Sequence, residues 1–348
     1  MLSWPVVAKS TGLQRTHVER VRPTALGVEL TLWIEPPHSV ARVEMVSDLI
    51  AVAYGLARVR VIQDPLRADR VTLMLDSSLS IGSVPYPGEG NTFGLPLDPR
   101  RKMPIGVDDN GEVVFIRLLG HSVLIGGLPG SGKSLGCRTM LAGLAASRDV
   151  CLVGIDPKRA ELILWRDRFS HLVLGHEADE TIELLQLLLD EVHQRAVYLA
   201  TTGRATLEPS AEYPNIVLVI DEWAEMAAGG TAKERALAAE MLRRFVSLGR
   251  AVNGTVILLT QKPTNEVIDT GTRSLLGYRF ALRCGDRFQA DSILGAGAYE
   301  ASQLIGAAPG RALWTDGGAA SALQFYEIED QQVAELQCAG LVGLFRSP

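Results

Sequence analysis

A glycine-rich stretch that ends in a lysine and a serine is the clearest chemical signal in the sequence. Residues 124–137 read LIGGLPGSGKSLGC and fit the spacing G-x-x-x-x-G-K-[ST]. Glycines at these positions let backbone N–H groups surround phosphate oxygens, while the lysine reaches the outermost phosphates. The stretch therefore predicts a loop that binds the phosphates of a nucleotide, formed by Gly127, Leu128, Pro129, Gly130, Ser131, Gly132, Lys133, Ser134 and Leu135.

Two adjacent carboxylates follow an apolar run further along the chain, in NIVLVIDEWAEM. In nucleotide hydrolases, an acidic residue at a strand end holds Mg²⁺ together with the serine of the phosphate loop, and a neighbouring group orients the attacking water. We expect Asp221 and Ser134 to bind Mg²⁺, and Glu222 to orient the water. Two solvated carboxylates at a strand end are the alternative, which the upstream phosphate loop disfavours.

A third polar element ends the apolar run GTVILLTQKPT, which places Thr260 and Gln261 at its tip. If this strand lies beside the strand of the phosphate loop, an uncharged polar side chain there senses the γ-phosphate or the water by hydrogen bonding. A polar loop residue without a role fits the spacing equally well.

The elements that position these residues alternate regularly. Short apolar runs (HSVLIGG, VCLVGID, NIVLVIDE, GTVILLTQ, GYRFALRC) alternate with helix-length segments, including ADETIELLQLLLDEVHQRAVYLA and AKERALAAEMLRRFVSLG. This rhythm is typical of a parallel sheet covered by helices on both faces. The fold class is therefore α/β, and the phosphate loop lies between a strand and a helix that begins at Lys133, where the helix dipole favours anions.

The first part of the chain has a different character. The β-branched runs GVELTLWIEP, RVRVIQD and RVTLMLDSS surround VARVEMVSDLIAVAYGLA, whose apolar spacing is helical. A segment rich in proline and glycine, residues 81–106, then separates this small α+β unit from the rest. We place the boundary near residue 95, giving domains 1–95 and 96–348.

Composition excludes several classes of protein. The 348 residues are 47% hydrophobic and 21% charged, without an apolar run of membrane-spanning length or a signal peptide. The four cysteines stand far apart, as is typical of reduced core residues, and we expect a cytoplasmic location. The net charge of −6 argues against a surface that coats nucleic acid as a whole, so any such contact is local.

Basic clusters are few. They are Arg15, Arg20 and Arg22 near the N-terminus and Arg100, Arg101 and Lys102 in the linker. Such clusters are more often solvated faces than contacts with nucleic acid.

Five blocks carry a resemblance when taken in order: GGLPGSGKSLG, IDPKRAELILWRDRFSHLV, VIDEWAEM, SLGRAVNGTVILLTQKPT and DSILGAGAYEASQLIGAAPGRALW. Over residues 105–315 the chain resembles the FtsK/SpoIIIE family of DNA translocases, most closely the short TraB-like proteins of actinobacterial conjugative elements. The resemblance implies a RecA-like ATPase that uses ATP and Mg²⁺, assembles as a homo-hexameric ring and pulls double-stranded DNA through its channel.

The resemblance also assigns residues. Gly127 to Ser134 match the Walker A loop, Asp221 and Glu222 the Walker B pair, and Gln261 the polar sensor, while Asp156, Pro157, Lys158 and Glu161 match the family's DPK…E block. Arg250 and Arg279 match two arginines of the family, either of which could act on a neighbouring subunit's ATP. An arginine supplied in trans is worth about 10³ to 10⁵ in rate, which would make hydrolysis depend on assembly.

Interpretations without a catalytic role stay open for two of these groups of residues. Arg250 follows a predicted helix, whose C-terminus favours a cation without any catalytic role. The residues from Asp156 to Glu161 also suit a turn that Pro157 stabilises.

Departures from the family pattern shape the expected partners. Large members carry an N-terminal membrane region and a C-terminal winged-helix module that reads DNA sequence, and neither is recognisable here. We therefore expect recruitment to the membrane by a partner protein, and contact with DNA of any sequence. Two further hypotheses are an ATPase module of type VII secretion, which moves protein, and a nucleotide-binding assembly switch.

Overall fold

The computed structural model describes residues 3–24, 26–77, 82–86, 102–145, 147, 149–210, 212–226, 229–264, 267–295 and 307–335. The chain forms two compact units. The first comprises Met1–Gly82, Val107–Glu112 and Gly306–Ala308, and the second comprises the remaining residues. The boundary expected near residue 95 lies outside the described residues, so the division into 1–95 and 96–348 stays a prediction.

The first unit contains a four-stranded antiparallel sheet in the order β1-β2-β4-β3. Its elements are α1 (Trp4–Ser10), β1 (Thr16–Pro23), β2 (Gly27–Ile34), α2 (Val40–Met45), α3 (Ser47–Tyr54), β3 (Arg58–Gln63) and β4 (Arg70–Asp76). Alternate strand residues such as Leu30, Leu32 and Leu73 pack with Val43 and Ile50 of the helices in one apolar core. The expected α+β character is confirmed.

Two details of this unit differ from the sequence-based expectation. The helix expected over residues 40–57 is interrupted at Val46, whose φ of −108° and ψ of 10° are not helical, and the Ser47 hydroxyl donates to the Glu44 carbonyl oxygen at this break. Strand β1 was not predicted, because all its residues after Thr16 are exposed and show no apolar alternation.

The second unit contains an eleven-stranded sheet within the described residues. Its strands are β5 (Val84–Pro85), β6 (Met103–Val107), β7 (Val113–Ile116), β8 (Val123–Gly126), β9 (Val150–Asp156), β10 (Phe169–Leu174), β11 (Asn215–Ile220), β12 (Gly254–Thr260), β13 (Tyr278–Ala281), β14 (Arg311–Thr315) and β15 (Ser321–Glu327). The order is β10-β9-β11-β12-β8-β13-β14-β15-β6-β7, with β5 beside β15.

The strands from β10 to β13 in this order are parallel, and β13, β14 and β15 pair antiparallel. Every residue of β8, β9, β11 and β12 is buried, as expected for central strands covered on both faces. The α/β class with a largely parallel sheet is therefore confirmed, and the antiparallel strands extend it.

Helices follow most of the parallel strands. They are α4 (Lys133–Ala145), α5 (Ala178–Thr202), α6 (Trp223–Met226), α7 (Ala232–Gly249), α8 (Thr270–Leu275), α9 (Arg287–Leu294) and α10 (Asp330–Glu335), with 3₁₀ turns at Leu162–Arg168 and Arg250–Val252. A capping box between Thr231 and Glu234 starts α7. No helix among the described residues is both long and apolar enough to cross a membrane.

Candidate nucleotide-binding site

The phosphate loop connects the buried strand β8 to helix α4, as the sequence predicts. Its backbone is tightly packed against the turn before β14, because the Gly310 N–H donates to the Ser131 carbonyl oxygen over 2.8 Å. Gly132 has a φ of 94°, and a Cβ there would lie 2.0 Å from the Gly310 nitrogen. Only glycine therefore fits at this position of the loop.

Lys133, the first residue of α4, folds back over the loop. Its Nζ donates to the carbonyl oxygens of Gly127 and Leu128 over 2.9 and 3.1 Å. Burial lowers the pKa of its ammonium group, and the carboxylates of Glu222 and Asp221 partly offset that effect. The lysine is thus already held beside the loop, where it can exchange carbonyl oxygens for phosphate oxygens.

The strand order brings the other predicted residues to the same edge of the sheet. Strand β12 lies between β8 and β11, so the residues that follow these three parallel strands meet beside the loop. A cavity of about 550 Å³ is lined there by Pro129, Gly130, Gly132, Lys133, Ser134, Leu135, Lys158, Ala160, Glu161, Asp221, Gln261, Pro309 and Glu327. Its position is the one that ligands take in open α/β sheets, outside the carboxyl ends of the strands.

Ser134 and Asp221, the expected Mg²⁺ ligands, both line this cavity. Burial, followed by the nearby carboxylates of Asp156 and Glu161, raises the pKa of Asp221 to about 7. A divalent cation suits such a setting, because carboxylate and hydroxyl oxygens are its preferred ligands and its charge offsets the excess of negative charge. The residues therefore fit Mg²⁺ bound together with a nucleotide phosphate.

Glu222 is held behind Asp221 and is 2% exposed. Its φ of 72° is left-handed, a conformation that costs a non-glycine residue of order 1–3 kcal/mol. The carboxylate accepts hydrogen bonds from the Gln261 N–H at 3.0 and 3.1 Å and from the Thr260 hydroxyl at 3.2 Å. The structure thus joins the predicted water-orienting carboxylate directly to the strand of the predicted sensor.

The segment from Asp156 to Glu161 combines both interpretations that the sequence left open. Asp156 is buried, and its carboxylate accepts from the backbone N–H groups of residues 158, 160, 161 and 162 at 2.9–3.1 Å, which fixes the turn. The turn then directs Lys158 to the site, where its Nζ lies 3.4 Å from Glu222 Oε2. Glu161 lines the cavity and pairs with Arg138 of α4 at 2.5 Å.

The two arginines expected to act in trans lie elsewhere in the unit. Arg250 is exposed where α7 meets the following 3₁₀ turn, and Arg279 lies within β13 opposite Leu124 of β8. Neither is among the described residues that line the cavity. Arg283, two residues beyond β13, is not among the described lining residues either, but it contacts the loop: its Nη2 donates to the Pro129 carbonyl oxygen at 3.3 Å. Sequence reasoning missed Arg283 and the contact of Lys158 with Glu222, because no motif spacing marks either.

Sheet order, loop and convergent polar residues define the second unit as a P-loop ATPase domain. Residues 98–213 match the FtsK/SpoIIIE family model, so the resemblance is confirmed over that range.

Relatives and a solved structure agree with this assignment. The chain is 32% identical over 214 residues to Protein Tra of Streptomyces lividans (57% of this chain, 34% of the relative) and 28% identical over 301 residues to Transfer protein TraSA of Streptomyces ambofaciens (80% and 70%). It spans 34%, 37% and 32% of the length of the first curated relatives it matches.

A structure of the pCW3 conjugation coupling protein TcpA in its monomer form with ATPγS matches with a TM-score of 0.66 and 17% identity. The match covers 96% of this chain and 98% of the other. At that identity the likeness is one of fold, and it confirms the expected P-loop ATPase architecture.

Proposed function

We propose that this protein is an ATP-dependent translocase of double-stranded DNA that acts in conjugative transfer or in plasmid or chromosome segregation. The observation that carries the proposal is the convergence of Lys133, Ser134, Asp221 and Gln261 on one cavity, in a chain that matches the FtsK/SpoIIIE family model. The likeness to Transfer protein TraSA supports the conjugative setting.

In this proposal each residue has a distinct role in binding and hydrolysing ATP. The loop N–H groups and Lys133 hold the phosphates, and Ser134 and Asp221 hold Mg²⁺, which neutralises charge on the phosphate oxygens. Glu222 orients the attacking water, and its hydrogen bond from the Gln261 N–H keeps the carboxylate on the side of the sensor strand. A shift of that strand would move the two together.

We further propose that six copies form a ring around the DNA, with Arg250 or Arg279 completing the site of a neighbouring subunit. The acidic chain is compatible with a positive channel, because one or two basic loops per subunit are repeated around the ring. We also propose that a membrane-bound partner protein recruits this protein from the cytoplasm to the membrane.

The test is the ATPase rate of the purified protein with and without duplex DNA, with the Lys133→Ala variant as a control for contaminating activity. We expect stimulation by duplexes of any sequence, since a motor that moves along every sequence contacts the phosphate backbone, which carries no sequence information. DNA affinity should fall steeply with salt, because each neutralised phosphate contributes about −0.9 to the slope of log affinity against log salt.

Other outcomes of the same assay would overturn the proposal. If DNA does not change the ATPase rate but a secreted protein substrate raises it, the protein is an ATPase module that moves protein. ATP binding with no turnover under any condition would indicate an assembly switch. A preference of a hundredfold or more for one fragment of the element encoding the protein would reveal a sequence reader, for which the first unit is the place to search.

A further inference from the structure

The main chain of Arg283 is part of the phosphate-loop structure. Strands β13 and β8 run parallel with Ala281 opposite Gly126, so the residues just after each strand continue side by side. Two residues further on, the Leu128 N–H donates to the Arg283 carbonyl oxygen over 2.8 Å. This register places Arg283 level with the first turn of the loop, whatever its side chain does.

The side chain of Arg283 lies across the same part of the loop. Its Nη2 is 3.3 Å from the Pro129 carbonyl oxygen and 3.7 Å from the point that a Cβ on Gly130 would occupy. Lys133 Nζ donates to the two preceding carbonyl oxygens, those of Gly127 and Leu128. Two cationic side chains therefore hold three consecutive carbonyl groups of the loop.

The charge of Arg283 is not balanced by a carboxylate. Among the described residues, no aspartate or glutamate oxygen lies within ion-pair distance of its guanidinium, whereas Arg287 pairs with Asp291 at 3.4 Å and Arg138 with Glu161 at 2.5 Å. A neutral carbonyl oxygen is a weaker partner for a guanidinium than an anionic oxygen. An anion bound in the loop would thus draw Arg283 away from Pro129.

We propose that Arg283 binds the outermost phosphate of the nucleotide in cis, on the same subunit whose Lys133 holds it. This inference rests on the proposed ATP binding and adds a residue to it. The guanidinium presents paired N–H donors that match phosphate oxygens, which the single ammonium group of Lys133 does not. Arg283 is thereby distinct from the arginines proposed to act in trans.

The decisive experiment compares the affinities of a non-hydrolysable ATP analogue and of ADP, measured by titration calorimetry without DNA. In Arg283→Ala we expect the preference for the analogue over ADP to fall roughly tenfold or more, since a charge-assisted hydrogen bond to the terminal phosphate is lost. ADP affinity should stay within about twofold, because its phosphates are held by the loop and Lys133. Arg283→Lys should keep part of the preference, and Arg287→Ala, on the exposed start of α9, should keep all of it.

Three results would overturn the assignment. Equal losses for the analogue and ADP would mean that Arg283 only supports the shape of the loop, and unchanged affinities would mean that it touches neither nucleotide. Hydrolysis restored by mixing Arg283→Ala with Lys133→Ala would mean that the arginine serves a neighbouring subunit. If Arg283→Ala loses the preference for the ATP analogue but the ATPase rate of the wild-type protein does not respond to DNA, the proposed translocase function is wrong. The role of Arg283 in binding the terminal phosphate then still stands.

Discussion

Two clusters of charge in this molecule are built in opposite ways. In the first unit, the buried Asp76 accepts from Arg58 Nε at 2.9 Å and from Arg60 Nε at 2.8 Å, and Asp109 pairs with Arg60 at 2.8 Å. Each charge there has an opposite charge as its partner. Burial acts to lower the pKa of Arg60, but the hydrogen bond to Asp76 and both carboxylates leave it raised.

The cluster around the phosphate loop contains ion pairs, but some of its charges have no ion-pair partner among the described residues. Lys133 and Arg283 donate to neutral carbonyl oxygens, while Asp221, buried near Asp156 and Glu161, has its pKa raised to about 7. Removing one partner from a closed, buried cluster destabilises the fold, whereas charges without an ion-pair partner are stabilised by a charged ligand. Substitutions in the first cluster should therefore change stability, and substitutions in the second should change nucleotide binding and turnover.

The largest effect on turnover is expected for Lys133→Ala. Loss of the ammonium group removes the positive charge that the loop presents to the outer phosphates, so nucleotide-dependent activity should disappear. ATPase assays and titration with the ATP analogue measure this. Lys233→Ala, on the exposed first turn of α7, is the matched control and should behave as wild type. Substantial turnover by Lys133→Ala would contradict the role given to this cluster.

Glu222→Gln should retain ATP binding and slow hydrolysis by about 10²- to 10⁴-fold, the usual contribution of a positioned acid or base. The amide keeps the size of the side chain but cannot take up a proton. Single-turnover assays with radiolabelled ATP separate binding from chemistry. Wild-type turnover in this variant would exclude Glu222 from catalysis, and Glu225→Gln on α6 provides the control.

Arg250 and Arg279 are not among the described residues that line the cavity. Their variants test whether a second subunit completes the cluster around the phosphate loop. Arg250→Ala or Arg279→Ala should lower turnover, and mixing the affected variant with Lys133→Ala should partly restore it, because each supplies what the other lacks. Activity per subunit should also rise with protein concentration. If neither mixture recovers at any ratio, with both proteins folded and co-assembled, trans completion by these arginines is wrong.

The smallest effect on turnover is expected for Asp76→Asn in the closed cluster. Two half-buried arginines lose their shared, fully buried carboxylate, which should lower the free energy of unfolding by about 3 kcal/mol. Urea denaturation measures this, and nucleotide affinity should not change. Asp69→Asn, which removes exposed ion pairs with Arg67 and Arg70, should shift the midpoint far less. A stable Asp76→Asn protein with weakened nucleotide binding would break the distinction between the clusters.

Much of the second unit could be predicted from sequence. The phosphate loop, the start of α4 at Lys133 and the strands ending before Asp221 and Gln261 follow from apolar runs and local spacing. The break at Val46 in the first unit was missed, because apolar periodicity continues through it although the backbone of Val46 is not helical. Strand β1 was not predicted because its pairing with β2, rather than its own apolar pattern, holds it extended.

The sequence by itself determined the residues whose roles depend on near neighbours in the chain. The spacing from Gly127 to Ser134 specifies a phosphate loop because its glycines and its lysine act on one short segment. Only the tertiary structure decided which distant groups meet there. Arg283 reaches Pro129 because β13 pairs beside β8, and Lys158 reaches Glu222 because β9 lies beside β11. Strand order depends on pairings between residues far apart in the chain, which local periodicity does not encode.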